Sequence, residues 1–325
     1  MMEPLFLQPV FQDKIWGGKK LAEVFGYDLP SAKVGECWGI SAHPHGPSIV
    51  KNGPYAGLTL AEVWQKAPSL FGNPHEEVFP LLVKILDAED DLSVQVHPDD
   101  AYGKTHAGEL GKTECWYIID AEPGATIVYG HHAKTKEEFA KMVAAGDWQH
   151  LLRKIPVKKG DFYYVPAGTI HAIGKGILIL ETQQSSDTTY RVYDYDRKDE
   201  KGHTRELHIQ ESLDVATIPH HDPTLHISEK NSGTSRVTQF VDTPFFAVYE
   251  WQVAGLLNLK KTAPYTLASV IAGVGQLEIL NADGIVAATY SLNKGDHFIL
   301  PAEIQSWRLG GDLKIIASTP GKSVQ

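Results

Sequence analysis

The chain has 325 residues, with 30 Lys plus Arg against 40 Asp plus Glu and a net charge of −10, which excludes a broad basic surface for nucleic acid or an anionic membrane and leaves any anionic ligand to a local group of cations. Hydrophobic residues are 42%, enough to bury a sizeable core, and the length suggests two domains. No apolar run reaches the roughly 18 residues of a membrane span, and Glu3 stands where a signal peptide would be basic, so a cytoplasmic protein is expected.

Glycine (29) and proline (19) punctuate many short β-branched and aromatic runs, which predicts a mainly β protein. Thr59-Leu-Ala-Glu62 predicts a capping box that opens the helix LAEVWQKAPSLFG. Strands are predicted at 79–86, 92–97, 115–120 and 125–130. A second box, Thr135-Lys-Glu-Glu138, opens KEEFAKMVAAG, with Phe139, Met142 and Val143 on one face. Strands resume at 161–166 and 176–184. Residues 221–239 are polar and turn-rich and read as a linker or boundary, which divides the chain into 1–225 and 226–325. Beyond it, FFAVYEWQV, YTLASVIAG, GQLEILNADG, VAATYSL, DHFILPA, SWRLGG and LKIIAS predict short strands of a second sandwich or barrel.

An internal repeat is present. Gly160-Asp-Phe-Tyr-Tyr-Val-Pro166-Ala and Gly295-Asp-His-Phe-Ile-Leu-Pro301-Ala share Gly-Asp, a four-residue apolar strand and Pro-Ala. The first copy continues to His171, whereas the second has Ser306 at that place. Gln95 and His97 share one face of a strand, and Glu114 opens another. Two imidazoles, a carboxylate and an amide oxygen from three strand ends suit Zn²⁺, with Mn²⁺, Fe²⁺ or Co²⁺ also compatible. With a single charged ligand, such an ion stays a good Lewis acid. On spacing alone, four unrelated surface polar residues are the favoured reading.

GDFYYVPAGTIH fits Gly-x5-Pro-x-Gly-x2-His, the second motif of the cupin superfamily. LVKILDAEDDLSVQVHPDD (82–100), GKTECWYII (111–119), VPAGTIHAIG (165–174) and ILETQQSSDTTYRVYDYDR (179–197) resemble type I mannose-6-phosphate isomerases of the short bacterial form. IWGGKKL and GECWGIS resemble that family's N-terminal segments. The resemblance covers most of the first 200 residues and implies two cupin (jelly-roll) domains with a few short helices in the N-terminal half. The second cupin would lack metal ligands. It implies interconversion of mannose 6-phosphate and fructose 6-phosphate through a cis-enediol, with one Zn²⁺ per chain and no organic cofactor. It places the metal ligands on Gln95, His97, Glu114 and His171. Arg191 falls on the active-site arginine, where a guanidinium offers permanent charge and paired donors. Lys112 faces the same way as Glu114, and Asp187 is a candidate acid, base or orienting group. His97, Lys112, Glu114 and Asp187 all stay open for the proton transfer. Ser93 and Lys84 match places that bind the phosphate end; Lys84, inside an apolar run, needs a partner or a ligand.

Other residues read as structural. His43-Pro-His45 lacks a third ligand of matching type and reads as a loop. His131-His132 and His220-His221 read as surface loops, because strand neighbours point to opposite faces. Cys37 and Cys115 are too few for a disulfide framework, and Cys115 should face away from Glu114 into the core. Trp16, Glu36 and Trp38 either wall the pocket or serve the fold. Two rival readings are an Fe²⁺ dioxygenase, which Gln95 and Lys112 disfavour, and a sugar-phosphate-binding regulator, which has no need of Arg191. The oligomeric state is left open.

Overall fold

The computed structural model describes residues 3–198 and 201–322. Two antiparallel sheets face each other in its first part. One has six strands in the order Phe162–Val165, Glu114–Ala121, Ile177–Gln184, Leu81–Ala88, Val34–Ile40 and Val10–Gly18. The other has five, in the order Tyr190–Tyr193, Val94–Val96, His171–Ile173, Thr126–His131 and Leu152–Pro156. Leu86, Trp116, Ile118 and Ile179 of the first pack against Ile127, Tyr129 and Ile173 of the second.

The six-stranded sheet is buried on both faces. Val83, Ile85, Cys115, Tyr117 and Leu180 turn the other way and pack with Phe246, Val248, Leu267 and Ile316 of the C-terminal part. This is why LLVKILDA reads as a continuous apolar run rather than an alternating one. Cys115 lies in that outer layer, as its strand phase predicts.

The C-terminal part is built on a nine-stranded sheet with its own core, including Val253, Leu277, Phe298, Trp307 and Leu309. Three of its strands, Phe246–Lys260, Thr266–Leu280 and Ser306–Pro320, run for 15 residues each. The sequence divides two of them at Gly273 and at Gly310-Gly311. In the structure those glycines sit inside continuous ladders where the strands cross closely: a Cβ at Gly273 would lie 2.0 Å from the Asp312 carbonyl. Leu5–Gln8 pairs with His297–Leu300, and Ile49–Val50 pairs with Leu5–Gln8, so N-terminal residues extend this sheet. Within the polar stretch 221–239, Ser228–Ser232 and the start of Ser235–Asp242 form a hairpin that pairs onto the same sheet.

The repeat is the same turn twice. Gly160 and Gly295 have φ of 90° and 93°. Asp161 and Asp296 each accept the backbone N–H three residues earlier, at 2.9 and 2.7 Å. The N–H of Ile118 in one copy, and of Val270 in the other, bonds the Asp carbonyl at 2.9 Å. Thr59 caps Leu60–Lys66 in a full capping box. Thr135 caps Lys136–Ala144, but the Glu138 carboxylate accepts from Lys134 N–H rather than closing the box on Thr135. Asp100–His106 and Ile209–Val215 are helices that the apolar pattern does not announce.

Candidate active site

The chemistry-bearing side chains converge between the two facing sheets. His97, Glu114 and His171 lie with their candidate ligand atoms within 4.8 Å of one another, all buried. Glu114 Oε2 is 3.3 Å from His97 Nε2, and Glu114 Oε1 is 3.3 Å from His171 Nε2. The other ring nitrogens are already committed: His97 Nδ1 donates to the Thr188 carbonyl at 3.0 Å, and His171 Nδ1 to the Thr169 carbonyl at 2.9 Å. Each ring therefore presents an unprotonated Nε2 to the carboxylate. Burial, with Lys112 nearby, pushes the His97 imidazole down to about 3 and so keeps it neutral; burial lowers His171 as well. Burial would raise the Glu114 carboxyl, but the positive charge of Lys112 helps to hold it below the usual carboxylate range. His97 Nε2 and Glu114 Oε2 are buried with no hydrogen-bond partner. Two imidazole lone pairs turned onto a carboxylate fit a cation and little else.

Sheet pairing sets the rest. His171 and Arg191 are the cross-strand partners of Gln95 on either side, which puts the three side chains in one row on the inner face. Gln95 Nε2 donates to His171 Nε2 at 3.3 Å, and Gln95 Oε1 accepts from Ser93 at 3.5 Å. A half-turn of this amide would present its oxygen to the cluster. The turn before His171 is tight because Gly168, at φ 86°, approaches Thr217 Oγ1 to where a Cβ would lie at 2.5 Å. Gly168 N–H also bonds the His97 carbonyl, tying two ligand segments together.

A cavity of about 280 Å³ opens beside the cluster. Lys84, Ser93, Lys112, Asp187 and Arg191 all line it with Gln95, Glu114 and His171, so every residue singled out for chemistry except His97 faces the cavity, and His97 lies behind in the cluster. Lys84 Nζ sits 3.6 Å from Glu36, 4.0 Å from Glu181 and 4.6 Å from the centre of the Trp38 ring. Asp187 is held below the usual range against its burial by Lys84 and Lys112, and by His45 at 3.0 Å. Arg191 donates to the Glu206 carbonyl at 2.7 Å, while its Nε has no partner. Trp16 and Glu36 wall the cavity, and Trp38 supports Glu36 by donating to it at 2.6 Å.

Sequence reasoning missed Lys14, Glu181 and Arg205, which also line the cavity. Glu181 had a signal: it follows Ile177 and Ile179 in inward phase, on a strand buried on both faces. Burial and Glu114 raise its carboxyl to about 7. Arg205 had none, since it folds back from a loop and is fixed by Asp194 at 2.7 Å. One of the histidine readings needs correction. His131 is buried, not in a surface loop, because the strand runs on through it; its Nε2 donates to the Thr217 carbonyl at 3.0 Å. The loop of His43 and His45 is a loop as expected, yet His43 is buried and bonds Glu109 while His45 bonds Asp187.

A double cupin with a His₂Glu cluster between its first pair of sheets is the class that this geometry defines. Comparison with known proteins agrees. The model of the phosphomannose isomerase type I catalytic domain matches residues 5–129, and that of the mannose-6-phosphate isomerase cupin domain matches 236–320. A mannose-6-phosphate isomerase of Streptococcus mutans is 59% identical over 98% of both chains. A probable mannose-6-phosphate isomerase of Bacillus subtilis is 52% identical over 98% of this chain and 100% of its own. The crystal structure of the Bacillus subtilis mannose 6-phosphate isomerase superposes with a TM-score of 0.93 at 49% identity, covering 97% of this chain and 99% of that one. The chain belongs to the type I phosphomannose isomerase family.

Proposed function

We propose that the chain interconverts mannose 6-phosphate and fructose 6-phosphate through a cis-enediol, using one Zn²⁺ held by Gln95, His97, Glu114 and His171. The observation that supports the metal is the buried His97–Glu114–His171 cluster, with its lone pairs facing one another. Held by these residues, the ion would supply Lewis acidity for the oxygens of the reacting carbons. His97 and Glu114 spend their lone pairs as ligands, which leaves Lys112 and Asp187 to move the proton between C2 and C1. Asp187, ionised and oriented by His45, takes the proton from C2 and returns it to C1; Lys112 donates to the C1 oxygen as it gains charge and recovers the proton that the C2 hydroxyl gives up. Arg191 places fixed positive charge beside the cis-enediol. Ser93 and Lys84 take the phosphate, with Arg205 adding positive charge to the same cavity. The catalytic cupin spans 1–225 and the cupin without ligands 226–325, with Leu5–Gln8 crossing between them. A cytoplasmic setting fits a chain in which no helix among the described residues is long and apolar enough to cross a membrane.

The test is a coupled assay for fructose 6-phosphate formed from mannose 6-phosphate, with chelator and then Zn²⁺ added back. Turnover should vanish and return. Tight binding of the sugar phosphate without turnover would favour a regulator, and recovery only with iron and O₂ uptake would favour a dioxygenase.

A further inference from the structure

We infer that Glu109 is a positioning residue that sets both His97 and Asp187 through one loop; the inference rests on the metal-dependent isomerase reading above. Residues 185–189 join the strand Ile177–Gln184 to Tyr190–Tyr193 and lie outside the ladders of either sheet. Four of their donors go to one atom. Ser186 Oγ, Asp187 N–H, Thr188 N–H and Thr188 Oγ1 all donate to Glu109 Oε2, at 2.9, 3.0, 3.1 and 2.7 Å. Glu109 Oε1 accepts from His43 Nε2 at 3.1 Å.

The loop then delivers two groups to the site. The Thr188 carbonyl accepts the His97 Nδ1 proton, which fixes the tautomer and leaves Nε2 for the ion. The Asp187 carboxylate enters the cavity, where His45 steadies it. Glu109 thus stands one residue removed from the chemistry on both sides. A carboxylate offers these donors two acceptor oxygens and no donor of its own; an amide has one acceptor oxygen and would turn its own N–H₂ towards some of them. Charge-assisted bonds of this kind are stronger than neutral ones, and they hold the Glu109 carboxyl down to about 2 despite partial burial.

The experiment uses the full chain as wild type, Glu109→Gln and Thr188→Val. Zn²⁺ affinity of the metal-stripped proteins is measured by competition with a chromogenic chelator, alongside kcat and KM at saturating Zn²⁺ and melting of the metal-free forms. Glu109→Gln should weaken Zn²⁺ binding by roughly 10- to 100-fold, the scale for loss of a group that orients a ligand, and should lower kcat with little change in KM. Thr188→Val, which removes one of the five donors, should shift both in the same direction by less and serves where Glu109→Gln does not fold. Zn²⁺ affinity and kcat equal to wild type in the folded variant would overturn the inference, even if its melting temperature fell. Wild type that neither binds Zn²⁺ nor turns over would instead overturn the isomerase reading.

Discussion

Lys84 shows how the cavity keeps charge in a nearly dry place. It is 2% exposed, and the carboxylates of Glu36 and Glu181 and the face of Trp38 surround its ammonium. Removing one member of such a group strands the others. Lys84→Ala is therefore expected to raise KM for mannose 6-phosphate far more than for unphosphorylated mannose; equal losses on both would remove Lys84 from phosphate reading. Arg191→Ala should keep fold and metal affinity while kcat falls by roughly 10²-fold, checked by metal analysis beside steady-state kinetics. Glu36 gives a pH signature. Burial opposes its ionisation, but Lys84 and Lys14 hold it at about 2, below its ordinary 4.5. Its folded value is depressed, so its contribution to stability is complete above about pH 4.5 and is lost as pH falls through about 2. A melting series should show Glu36→Gln with a flatter acid limb than wild type over that window. Most of this site was legible at the residue scale because its members keep strand phase or, as with His171, follow the Pro-Ala-Gly turn. Arg205 and Glu109 were not, since both act from loops and their partners are distant in sequence.

Turn and strand chemistry carried further than helix pattern. The Gly-Asp-strand-Pro repeat was readable because each copy needs a left-handed glycine and an aspartate that closes the turn behind it. The two glycines differ in their surroundings. A Cβ at Gly160 meets nothing within 4 Å, whereas one at Gly295 meets the Tyr27 ring at 3.1 Å, and the Tyr27 hydroxyl donates to the Gly295 carbonyl at 2.8 Å. Both Gly→Ala changes should cost about 1 kcal/mol or more for the backbone, and Gly295→Ala should cost more than Gly160→Ala; equal melting temperatures would contradict this. The strand lengths were misjudged for the opposite reason. Gly273, Gly310 and Gly311 look like breaks in sequence, but in the sheet they let 15-residue strands pass one another closely. Asp100–His106 was missed although Asp99 caps it, accepting from Tyr102 N–H at 2.9 Å, because its surface is too polar to show a stripe.

At the level of the whole molecule, the layers are joined rather than merely adjacent. Leu5–Gln8 is a strand of the C-terminal sheet, and the core that includes Val83, Ile85 and Cys115 is shared with Phe246, Leu267 and Ile316. Residues 226–325 expressed alone would lack that strand and expose half of the shared core, so they should not give a cooperative thermal transition, whereas the full chain should melt in one step. The change of composition near residue 225 was legible in the sequence; the crossing strand was not, because four residues of LFLQ carry no mark of which sheet they join. The two-faced sheet has one more consequence. Glu114 and Cys115 are neighbours on the same strand, one turned to the ligand cluster and the other to the C-terminal cupin. Selection for inactive variants should therefore return bulky or polar replacements at Phe246 and Val248, in a part of the chain that supplies no residue to the cavity lining.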